Sequence, residues 1–153
     1  DHYDAVPLLY DLSTDQLITV YTYGNAIQMI REKVKSFTLD KRSFERLGND
    51  QVAAGFYERM YVGKVKFYAR RQKELYQKLN GTALQDIFES SNSYYVVKDG
   101  RFHSFKSKGS LLKILEDQKA ELKKFIRDQK IQYNSNREAN AVRLLKHYDE
   151  ITY

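Results

Sequence analysis

The sequence predicts an α+β fold: a strongly curled antiparallel sheet or partial barrel of about eight or nine strands, then two or three C-terminal helices. Three observations carry this. Through residue 106, short runs alternate apolar with polar residues between turn formers, as strands with one covered face do. From Gly109 the apolar repeat lengthens to 3.6 residues, the period of a helix packed along one stripe. Thirteen Tyr and 8 Phe, with no Trp, supply flat rings that suit a pleated surface. Strands first and helices after is segregated α+β, not alternating α/β. So many strands overfill one flat sheet, which predicts curling. At 153 residues the chain reads as a single domain, with residues 1–106 the β portion and 107–153 the helical portion.

The elements follow in order. "PLLYDLS" and "QLITVYTYG" alternate around a polar turn at Thr14 and Asp15. Leu17, Thr19 and Tyr21 share one face; Ile18, Val20 and Thr22 share the other. Gly24-Asn25 supplies the positive-φ chemistry of a tight hairpin. "AIQMI", "VKSFTL" and "SFERL" continue the series, and the turn formers of "GNDQVAAG" mark a loop. Gly55 to Val62 and Lys64 to Gln72 make a further hairpin. "SYYVVKDGRFHSF" makes another around Asp99-Gly100. Beyond Gly109, Leu111, Leu112, Leu115, Leu122, Phe125 and Ile126 form an apolar stripe with lysines opposite. Glu116-Asp117 marks a break between a short and a longer helix. "SNRE" at Ser135–Glu138 fits a capping box, and Val142, Leu144, Leu145 and Tyr148 face inward from a last helix.

Net charge is +6, from 26 Lys/Arg and 20 Asp/Glu. It is uneven: residues 1–63 hold 7 cations and 9 acids, residues 64–153 hold 19 and 11. The cations of "KVKFYARRQK" pose the functional question. Lys64, Lys66, Tyr68 and Arg70 alternate with Val65, Phe67 and Ala69, and Arg71 and Lys73 extend the run. The half-buried reading makes the cations the wet side of a strand. The sharper reading is a polyanion-tracking face with Tyr68 as a stacking platform. The first is preferred, because Glu58, Glu74 and Asp86 interrupt the run and no nucleic-acid signature accompanies it. "KAELKKFIRDQK" mixes both signs as an exposed helix face does.

Chemistry finds little support. His2, His103 and His147 lie in separate segments without metal-ligand spacing. No cofactor fingerprint, P-loop or nucleophile elbow occurs, so no cofactor and no enzymatic activity are expected. Asp11 and Asp15 read as turn formers. A dispersed site around His103 and Tyr95 is the remaining enzymatic reading, recognisable by a deep polar pocket. With no cysteine, thiolate sites and disulfides are excluded. The longest uncharged stretch, Gln16 to Ile30, is shorter than the roughly 20 residues of a membrane span.

"LLYDLSTDQL", "VKSFTL", "GFYERMYVGKVKFYARR", "YYVVKDGRFHSFKSKGSLLKIL" and "LKKFIRDQKIQY" together resemble the recurrent blocks of an uncharacterised family of exported bacterial proteins. The resemblance covers most of the chain and implies a periplasmic or extracellular setting. No activity or functional residue comes with it. The chain starts at Asp1 without an initiator Met, which fits a removed export signal. The expectation is a non-enzymatic exported binding domain recognising a protein or cell-envelope component. The alternative is a nucleic-acid or other polyanion-binding module using residues 64–73.

Overall fold

The computed structural model describes residues 1–20 and 23–153, so the expected placements of Tyr21 and Thr22 lie outside the described residues. The protein is α+β, with nine antiparallel strands among the described residues followed by helices. The strands are β1 (Leu8–Asp11), β2 (Gln16–Val20), β3 (Ala26–Gln28), β4 (Ser36–Leu39), β5 (Arg42–Leu47), β6 (Gly55–Val62), β7 (Lys66–Asn80), β8 (Ala83–Lys98) and β9 (Arg101–Phe105). The helices are α1 (Lys108–Ile114), α2 (Lys119–Asp128) and α3 (Arg137–Ile151).

The strongly curled sheet or partial barrel does not form. The strands divide into two open sheets, ordered β1-β2-β3 and β4-β5-β6-β7-β8-β9. Strand number is accommodated by splitting rather than bending, and each sheet keeps two edges. Every described neighbour in sequence is also a neighbour in its sheet, so short turns set the order. At the sharpest, Asp99 and Gly100 have φ of 51° and 74°, the left-handed pair that a two-residue hairpin turn requires.

The chain forms two compact units, residues 1–49, 53–58 and 70–92, and residues 50–52, 59–69 and 93–153. Each has its own core. The first gathers Leu17, Phe37, Phe44 and Phe56, with Tyr10 packed against them. Phe37 opposes Phe44 in the β4–β5 register, and their rings stack at 4.8 Å. The ring of Tyr10 meets both edge-on at 5.2 and 5.3 Å, the arrangement aromatic quadrupoles prefer.

The second core joins Phe67, Val96 and Phe105 of the strands to Leu111, Leu112, Leu122, Leu144 and Leu145 of the helices. The expected break at Glu116-Asp117 is a single 3-10 turn, Glu116–Gln118, between α1 and α2. The capping box is not at Ser135. Asn136 caps α3, its side chain accepting from the Ala139 amide, while Glu138 accepts from the Tyr94 hydroxyl at 2.8 Å. The Ser107–Ser110 pair forms a reciprocal box at α1 instead. Ser110 serves because a hydroxyl at the third helical position reaches back as a carboxylate does.

Candidate interaction surface

The basic strand is not one wet face. Lys66 and Lys73 are exposed. Lys64 is engaged at a helix end: its amide donates to Asp149 Oδ2 at 2.7 Å, and its ammonium to the Asp149 carbonyl at 3.0 Å and the Thr152 carbonyl. Tyr68 is 3% exposed and its ring stacks on Phe102, so it offers no platform for a base. The alternation fails at Phe67, Tyr68 and Ala69, all buried, because both faces of the strand are covered there.

Arg70 and Arg71 serve the interior of the first unit. Arg70 lies 3.2 Å from Asp15, donates to the Phe56 carbonyl at 3.0 Å and sits over the ring of Tyr57. A Cβ on Gly55 would fall 1.8 Å from its Nη1, so only glycine admits the guanidinium here. Asp15, expected as a soluble turn former, is buried. It accepts from the Tyr10 hydroxyl at 2.6 Å and from the Phe56 amide at 3.3 Å. Burial, with the hydrogen bond to Asp15, pushes the Tyr10 phenol far above its ordinary range. Asp11 does cap its turn, accepting from the Ser13 amide and the Thr14 hydroxyl.

Arg71 donates to Glu58 Oε2 at 2.7 Å, and Arg42 donates to both oxygens at 2.8 and 2.6 Å. Burial raises the Glu58 pKa, but hydrogen bonds and charge from the two arginines outweigh it and hold the carboxyl below its usual range. These are closed ion pairs, and satisfied buried charge contributes structure rather than recognition.

What stands open is the far half of the β7–β8 hairpin. From Gln72 to Ser93 every residue is exposed except half-buried Ile87. Strand alternation puts Leu75, Gln77 and Leu79 on one face of β7, and Leu84, Asp86 and Phe88 on one face of β8. The Gln77 amide donates to Asp86 Oδ1 at 3.0 Å, so both sets share a face. Leu75, Leu79, Leu84 and Phe88 are 54, 64, 68 and 63% exposed. That clusters four large apolar side chains in water, which scattered surface leucines do not do. The readable signal was Asn80-Gly81, a hairpin dipeptide between alternating runs, with Gly81 at φ 66°.

Other polar groups are committed elsewhere. Lys98 contacts Asp117 at 2.5 Å, and Asp117 also accepts from Tyr148 at 2.8 Å. His147 stacks on Phe125 at 3.9 Å. Tyr95 and His103, the dispersed enzymatic candidates, are half-buried strand residues. A crevice of about 10 Å³, lined by Phe67, Tyr94, Phe105, Lys106, Tyr133, Arg137 and Glu138, has room for one water. Among the described residues, no group of three His, Asp or Glu is placed to hold a metal ion, and no helix is long and apolar enough to cross a membrane. Comparison with known proteins finds no matching family model, curated protein or solved structure.

Proposed function

We propose that this chain is a non-enzymatic, exported interaction domain that recognises a protein through the apolar face of its β7–β8 arm. The carrying observation is the grouping of Leu75, Leu79, Leu84 and Phe88 on one bare face. An isolated two-stranded ribbon is marginal in water, and a long one with an apolar face gains stability when another surface covers it. The basic strand supports the polyanion alternative poorly. Of its five cations, Lys64, Lys66 and Lys73 are exposed, but Lys64 is engaged by the Asp149 and Thr152 carbonyls, and Arg70 and Arg71 are held by acids.

A photo-crosslinking amino acid at position 88, compared with the same group at Lys66, tests this in intact producing cells. Discrete adducts are expected from the arm and not from position 66. Equal labelling, or no adduct from position 88, overturns the proposal.

A further inference from the structure

Resting on that reading of the arm, we infer that its partner is a second copy of this chain, stacked face to face about a two-fold axis parallel to the arm. The face has a symmetric layout. The Gln77–Asp86 hydrogen bond lies at its centre. In the antiparallel ribbon, Leu75 and Phe88 flank it on one side, Leu79 and Leu84 on the other.

A polar pair between two apolar pairs is costly to cover with a purely apolar surface. The Asp86 charge would lose water without gaining a donor. A second copy supplies the donor by symmetry. An axis along the arm lays β7 of one copy over β8 of the other, so each Asp86 meets the partner's Gln77 amide. Leu75 then meets the partner's Phe88, and Leu79 the partner's Leu84. Charge on this face is sparse: Lys73 of β7 and Asp86 of β8 lie on it, while Glu74, Lys78 and Glu89 alternate to the other side. Stacking unlike strands lays each Asp86 over a Gln77 and not over the other Asp86. An axis across the arm lays like on like, with acid over acid, and is disfavoured. The contact is therefore self-complementary, as a two-fold interface must be.

Area sets the strength. About nine rungs at about 3.3 Å each give a face about 30 Å long and about 10 Å wide. Stacking then hides on the order of 300 Å² per copy, well under half the usual share of a stable interface. The association is accordingly weak and reversible, because contacts this small belong with transient encounters.

Sedimentation velocity on the full chain, from about 10 to about 500 μM, reads this directly. The weight-average mass should climb from monomer toward dimer. Phe88→Lys with Leu79→Lys should hold it at monomer, and these exposed positions leave the fold intact, which circular dichroism checks. Asp86→Asn should not strengthen association, since no acid faces an acid. A wild type that stays monomeric throughout, a dimer indifferent to the double substitution, or a tenfold tighter Asp86→Asn dimer overturns the inference. The crosslinks from position 88 separate the two readings. Adducts of twice the chain mass support both, adducts of another mass keep the arm but overturn the second copy, and no adduct overturns both.

Discussion

Glu58 shows how a charged residue on a strand becomes an interior one. Its carboxylate is met by Arg42 and Arg71, and removing it takes the countercharge from the Arg71 guanidinium, 11% exposed. Glu58→Ala should cost about 3 kcal/mol, in line with breaking one side of a buried pair, as read by urea unfolding. Because the folded carboxyl titrates below its ordinary range, the unfolded chain takes up the proton first as pH falls. The stabilisation is complete above the unfolded pKa, about 4.3, and is lost on acidification through the folded value. Glu58→Gln should flatten that acid limb. Gly63 carries a second residue-scale constraint. A Cβ there would lie 1.9 Å from Asp149 Oδ2, the oxygen that receives the Lys64 amide and the Tyr61 hydroxyl. Burial, with that hydrogen bond, pushes the Tyr61 phenol up to about 12. Gly63→Ala should destabilise by about 1–3 kcal/mol, visible as a lowered Tm.

At the scale of the element, α3 buries Ala141, Leu144, Leu145 and Tyr148 in the second core. Deleting residues 135–153 should expose that core, lower Tm and drive aggregation; a truncated chain equally heat-stable and monomeric refutes the packing. Both hairpin and helix periodicities were legible in the sequence because each strand or helix with one covered face writes its period in its own residues. The turn at Asp99-Gly100, the break at Glu116-Asp117 and the stripe of α3 are legible on those grounds. What stayed illegible depends on groups distant in the chain. Alternation around Lys64–Arg70 gives an outward Tyr68 unless one knows that Phe102 lies over it. Asp15 reads as a turn former until Arg70, 55 positions later, is placed beside it. The division into two sheets likewise depends on contacts that no local pattern encodes, and Ser135, which reads as a cap, lies in a 3-10 turn with its hydroxyl donating to the Gln132 carbonyl.

For the molecule as a whole, the +6 charge invites a test of polyanion binding. Nucleic acid mixed with the chain in low salt should show no discrete retarded band, since Lys64, Arg70 and Arg71 are committed internally. A band that fades steeply with added salt would establish phosphate contacts and revive the basic strand. Connectivity matters at this scale as well. β6, β7 and β8 each begin in one compact unit and end in the other. Neither unit is a continuous stretch of gene, so no single cut releases either intact. Scanning calorimetry should therefore record one transition, with calorimetric and van't Hoff enthalpies in agreement, and the two cores should melt at a shared temperature.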